Sequence, residues 1–258
     1  MRTSASILCA GLLATACVDQ TPVTPTANRV IVLAVIDASV SDQTFIVQTT
    51  NGAENQQRDA KGALVTVATP DGRTITAAEV SDTIPPRFTG DPRVINTRYR
   101  ASFANVGGVA LGGTYLLRVV LPDGREVRGV TTVPEATMRA KSPLPDFDRR
   151  HDTLSLAWPA ARSAAAYEVF IAAQTTFNVF SDTAVVIPGL AENEDGNPVF
   201  WPGLTNRIIV NAVDANYYDY YRRTSDIFSG RGLISHLDGG IGVFGSITPV
   251  ASYTVVVR

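Results

Sequence analysis

The sequence predicts an all-β protein: two tandem β-sandwich domains with room for one short helix, preceded by a signal peptide and a tether. Three observations carry this. From Arg29 onward, runs of β-branched and aromatic residues alternate with turn signals about every 8–15 residues, the spacing of sandwich strands, and helical periodicity is scarce. The tetrapeptide Pro-Asp-Gly-Arg occurs twice, at 70–73 and 122–125, each time between two strand-like runs. A Pro-rich stretch poor in apolar residues, around Pro134, Pro143 and Pro145, divides the body in two. Length and composition agree: 258 residues suit one or two domains, and 45% hydrophobic residues with a net charge of −2 exclude a disordered chain. The balance of 22 basic and 24 acidic side chains leaves no footprint for nucleic acid.

The first element is an address. Met1-Arg2 is a short positive region, and Ile7–Ala14 is an apolar core far shorter than the roughly 20 residues a bilayer span needs. Residues 1–16 therefore read as a signal peptide. Ala14-Thr15-Ala16-Cys17 resembles the lipobox of bacterial lipoproteins, in which the cysteine becomes the acylated N-terminus. The departure is Ala14 where that motif usually has Leu; Leu13 lies one place earlier. The competing reading is an ordinary secreted protein cleaved after Ala16. The chemistry favours acylation, because a free thiol at a mature N-terminus is an oxidisable liability. The resemblance makes Cys17 the lipidation site and outer-membrane lipid the first partner. Val18 in place of an inner-membrane-retaining Asp points to the outer membrane, without saying which face. The only other cysteine, Cys9, lies within the signal, so no disulfide framework is expected. Residues 17–28 are Pro- and Thr-rich and read as the lipidated Cys with a flexible tether.

Residues 29–135 form the first predicted sandwich. Its strands are Arg29–Ile36, Thr44–Thr49, Ala63–Ala68, Thr74–Thr76, Tyr99–Phe103, Tyr115–Leu121 and Glu126–Val133. Each Pro-Asp-Gly-Arg makes a hairpin, since Pro presets φ and Gly supplies a positive φ. Ser81–Val94, rich in Pro and Arg, reads as a long loop, and 136–150 as a linker. Residues 151–258 form the second sandwich, with Leu154, Leu156 and Trp158 on its core face, then Tyr167–Ile171, Ala184–Ile187 and Ile208–Ala212. Tyr217, Tyr220 and Tyr221 stand at i, i+3, i+4 behind Asp214, a candidate N-cap, which favours a short helix over a strand. The last thirty residues offer two or three further strands with Gly breaks.

Family resemblances attach to particular stretches. "GALVTVATPDGRTI" resembles the Ig-like and carboxypeptidase-regulatory-like domains of envelope proteins, and "LSLAWPAARSAAAYEVFIA" resembles the opening of a fibronectin type III domain. The order lipobox, Ig-like module, fibronectin-like module, Tyr-rich segment and "GGIGVFGS" resembles a family of outer-membrane lipoproteins of Bacteroidota and related phyla. The resemblance implies location and architecture, and work beside an outer-membrane transporter, without implying a reaction.

Among candidate sites the tyrosine cluster is foremost. Tyr217, Tyr218, Tyr220 and Tyr221, four of the eight tyrosines, sit beside Arg222 and offer flat amphipathic faces for an extracellular polymer, a peptide or a protein partner. The competing reading is that two or three rings cover the sandwich end. One helical stripe cannot bury all four, and Tyr218 is the ring expected to be exposed. Gly240-x-Gly242-x-x-Gly245 matches a dinucleotide fingerprint in letters, but strand rather than helix follows, so it reads as a bend or close backbone contact. Glu192–Asn197 and the set Asp214, Asn216, Asp219 lack calcium-loop spacing. His151 and His236 lack metal-ligand spacing. No GxSxG elbow occurs. The expectation is a non-enzymatic binding or accessory module with no cofactor or metal; the alternatives are a structural scaffold and, third, an envelope hydrolase.

Overall fold

A computed structural model describes residues 28–51, 56–84, 94–140, 146–174, 176–193, 195–222 and 234–258. The signal peptide, Cys17 and the tether through residue 27 lie outside them. The described chain is mostly strand with one short helix, an all-β sandwich fold.

The first sandwich uses β1 (Val30–Asp37), β2 (Asp42–Asn51), β3 (Gln56–Asp59), β4 (Leu64–Ala68), β5 (Thr74–Thr76), β6 (Ala78–Ile84), β7 (Val94–Ser102), β8 (Thr114–Val120) and β9 (Glu126–Thr132). One layer runs β1-β2-β7-β6 with β3 on β2, and the other runs β5-β4-β8-β9. Strict alternation places Val30, Val32, Ala34 and Ile36 of β1 against Val65, Val67, Leu117 and Val119 of the facing layer. Tyr99 and Tyr115 are buried whole, and their hydroxyls are satisfied by backbone: Tyr99 by Ala60 and Ala63, Tyr115 by the Ala110 amide at 2.7 Å.

Both Pro-Asp-Gly-Arg segments are hairpin turns with matching bonds. Gly72 and Gly124 have φ of 83° and 87°, and their amides donate to Thr69 and Leu121. Asp71 and Asp123 then hold the guanidinium two residues on, with Arg73 and Arg125 Nε at 2.7 and 2.9 Å. Ser81–Val94 departs from expectation. Its first four residues belong to β6, which pairs along β7, and its last opens β7; residues 85–93 fall outside the description. β6 is an edge strand with Glu79, Ser81 and Asp82, and such polar strands lack the apolar alternation that a sequence reading relies on.

The second sandwich uses β10 (Arg139–Ala140), β11 (Thr153–Ala157), β12 (Ala166–Ala172), β13 (Thr176–Ser181), β14 (Ala184–Pro188), β15 (Thr205–Val213) and part of β16 (Ile241–Val256). The pair β11-β14 covers the layer β13-β12-β15-β16. Leu154, Leu156 and Trp158 lie in its core as the alternation requires, with Trp158 5.5 Å from the Tyr167 ring. The expected linker is part of this structure on both sides of residues 141–145. β10 pairs in parallel with Ala251 and Ser252, and Phe147 pairs with Val257 and is buried.

The largest correction concerns the C-terminus. Instead of two or three strands, Ile241–Val256 is one strand of 16 residues. Its first half pairs in parallel with β1 and its second half antiparallel with β15, across a register shift opposite Val210/Asn211. One ten-stranded sheet therefore runs through both sandwiches. Phe244 and Leu237, expected in the second domain, pack in the first core. The glycines do not break the strand; they admit close neighbours. A Cβ on Gly242, whose φ is 117°, would lie 2.0 Å from the Val32 carbonyl oxygen.

The helix α1 (Ala215–Tyr221) begins where β15 leaves β16. Two short side chains carry the ladder onward in place of a strand. Asp214 Oδ1 accepts from the Ser246 amide at 3.0 Å, and Asn216 Nδ2 donates to the Phe244 carbonyl at 2.8 Å. The same two residues reach the facing layer: Thr131 Oγ1 donates to Asp214 Oδ2 at 2.6 Å, and Asn216 Nδ2 also meets the Val130 carbonyl at 2.6 Å. They close the seam between β16 and β9 and tie it to the second sandwich.

Burial pushes the Asp214 carboxyl above its ordinary range, although its hydrogen bonds oppose this. The folded chain thus keeps a proton at Asp214 at pH values where the unfolded chain has lost it. This residue's contribution to stability is greatest below the ordinary carboxylate range and declines as pH rises through the raised value. Asp214→Ala strands buried donors and is expected to cost about 2–3 kcal/mol in urea unfolding. Asp214→Asn keeps the Oδ1 acceptor and can donate to Thr131 Oγ1. It should stay within about 1 kcal/mol of the parent and lose this part of the pH slope.

Candidate functional site

The tyrosine segment is a helix, as its spacing predicts, but a helix of seven residues is too short to persist alone. Its first turn is fixed by Asp214, whose backbone is extended and whose carboxylate accepts from the Tyr217 amide at 2.9 Å. Its approach to the sheet depends on Gly245, where a Cβ would lie 2.9 Å from both the Tyr217 amide nitrogen and Cβ. "GGIGVFGS" is thus a close-contact element, with Gly245 admitting the helix.

The rings are disposed unequally. Tyr220 is buried, at 6% exposure, and its hydroxyl has no partner among the described residues. Tyr217 is half-buried and donates to Glu168 Oε1 at 2.8 Å. Tyr221 packs against Tyr217 at 4.5 Å with the rings tilted by 42°, meets Tyr220 edge-on at 4.9 Å, and remains 43% exposed. Tyr218, expected to be the exposed ring, is half-buried instead. Phe180 lies edge-on to it at 5.3 Å, and the Arg222 guanidinium sits 5.1 Å from its centroid. Arg222 is held in turn by Asp219 at 2.9 Å, which also meets His236 Nε2 at 2.9 Å. Helical spacing gave the stripe but not Phe180, which comes from another part of the chain.

Beneath the rings lies a residue absent from the predicted site. Glu168 stands in the middle of β12, on the face opposite the core residues Tyr167, Val169 and Ile171. Although only 6% exposed, it is saturated with donors: Asn178 Nδ2 at 2.7 Å, Asn211 Nδ2 at 3.2 Å and the Tyr217 hydroxyl. Three strands and the helix thus converge on one carboxylate. The signal available in the sequence was a lone acid within the apolar run AYEVFIA.

Burial, reinforced by the Glu168 charge, raises the pKa of Tyr217 and Tyr221, and burial pushes Tyr220 up to about 12. These phenols stay protonated at neutral pH. Chemically the arrangement offers a half-exposed aromatic wall of Tyr218, Tyr221 and Phe180, flanked by the cation of Arg222 and the exposed amide of Asn178.

The other candidates resolve as structural features. Asn193 Oδ1 accepts from the amides of Asp195 and Asn197, so this side-chain oxygen serves the local backbone. Asp214, Asn216 and Asp219 are each engaged as described. Among the described residues no three His, Cys, Asp or Glu side chains group to hold a metal ion. His151 pairs with Asp148 at 2.8 Å on an exposed turn. No described helix is long and apolar enough to cross a membrane. No protein-family model and no curated protein matches the chain.

Replacing Glu168 by Ala leaves three donors without their acceptor. It should cost about 2–4 kcal/mol in denaturant unfolding, with loss of the near-UV dichroism of the packed tyrosines. Glu168→Gln, which keeps one carbonyl acceptor, should fall between Ala and the parent.

Proposed function

We propose that the chain is a lipid-anchored envelope protein that works as a non-enzymatic binding or accessory module, stationed beside an outer-membrane nutrient transporter. The observation that carries the binding half is the exposure of Tyr221 beside half-buried Tyr218 and Phe180, on a helix fixed at its N-cap and from below. A rigid, uncharged aromatic surface with polar tips suits stacking against sugar rings or an extended peptide, because little side-chain entropy is lost on binding. The anchoring half rests on Ala14-Thr15-Ala16-Cys17 and the tether behind it. Acyl chains on Cys17 provide membrane affinity of about 0.8 kcal/mol per buried methylene, with no spanning helix required.

A second reading, a scaffold within an outer-membrane complex, is favoured by the single sheet through both sandwiches, which suits a rigid spacer. Copurification of a stoichiometric membrane protein distinguishes it from a ligand-binding module.

Two experiments test the proposal. Cys17→Ala should abolish palmitate labelling and release the protein from membranes; equal membrane retention refutes lipidation. On glycan arrays and immobilised peptides, Tyr221→Ala and Tyr218→Ala should each weaken binding by about tenfold or more. Binding left unchanged by both substitutions sinks the role given to these rings.

A further inference from the structure

The ten-stranded sheet ends at β13, and no described strand pairs with its outer side. Edge strands are ordinarily blunted by charges, prolines or bulges, because their free N–H and C=O groups are a template for another strand. The opposite end of the sheet follows that rule, as β6 carries Glu79 and Asp82. β13 does not. Its sequence, TFNVFS, has no charge and no proline, is rich in β-branched and aromatic residues, and pairs with β12 over all six residues without a register shift.

We propose that β13 is a pairing edge for a second copy of this chain, the two strands meeting antiparallel about a two-fold axis so that the sheets of two molecules join. A two-fold axis brings the same segment against itself, so a strand serves only if it does not repel itself, and this one carries nothing that would. Ladder positions that no described strand fills select an extended backbone as occupant. Phe177 and Val179 lie on the core face, and Asn178 and Phe180 on the other, so each face presents side chains for cross-strand contact. Phe180 also contacts Tyr217 and Tyr218, which places the tyrosine helices of both copies on the same face of the joined sheet. The proposal does not depend on the ligand reading above: it concerns backbone pairing at the edge rather than the ring faces.

Sedimentation velocity of the purified full chain over a wide concentration range tests it. The expected result is a reversible monomer–dimer equilibrium. Asn178→Lys keeps a donor facing Glu168 but sets a long, strongly hydrated side chain on each strand of the junction, and should weaken dimerisation about tenfold or more with unchanged far-UV dichroism. An acetylated peptide copying Thr176–Ser181 should compete with dimerisation, and the same peptide N-methylated at alternate amides should not. A monomer at every concentration that does not bind the peptide overturns the proposal, as does a dimer insensitive to both Asn178→Lys and the peptide. A monomer that binds the peptide also overturns it, and assigns the edge to a strand from a different protein.

Discussion

A buried carboxylate at the point where two β-sandwiches share a strand is the constraint on which the rest of this structure depends. β16 exchanges one partner for another at Ile247, and at that point β15 stops and the ladder would be left open. A backbone amide or carbonyl facing nothing inside a protein costs as much as a lost hydrogen bond. Asp214 and Asn216 remove that cost with side chains, answering Ser246 and Phe244 on one layer and Thr131 and Val130 on the other. Asp214 also caps the helix that carries the tyrosines. Burial penalises its charge, but several donors aimed at one carboxylate make the arrangement specific.

The position of the candidate site follows from this. Because the capping group is also the seam-closing group, displacing the tyrosine helix breaks hydrogen bonds to β9 and β16 of the first sandwich. Glu168 fixes the helix from the second sandwich through Tyr217, so the rings are held from both modules. Such double support suits a surface meant to be presented rather than one that rearranges. The carboxyl oxygens of Asp214 and Asp219 are engaged in the same way, by the amides of Ser246 and Tyr217, the Thr131 hydroxyl, the Arg222 guanidinium and the His236 ring.

Much of this was legible in the sequence where the cause is local. The two Pro-Asp-Gly-Arg turns, the alternation of Leu154, Leu156 and Trp158, and the Asp214-capped helix depend on neighbours within a few residues. The Gly-rich run was legible as close contact, though not as a continuous strand, because its partners Val32 and Tyr217 come from distant parts of the chain. The role of Glu168 is hidden for the same reason: its donors lie on β13, β15 and α1, and periodicity does not encode them. Helix geometry alone leaves Tyr218 as the exposed ring, because it cannot foresee Phe180 arriving from β13. β6 is hidden because Glu79, Ser81 and Asp82 interrupt the apolar alternation that marks a strand.

The account's central claim is that one sheet and one polar seam make the two sandwiches a single cooperative unit. Differential scanning calorimetry of the intact chain addresses this most directly. A shared β16 predicts one thermal transition, with a calorimetric enthalpy equal to the van't Hoff enthalpy. Two resolved transitions, each carrying the enthalpy of about one hundred residues, would contradict it.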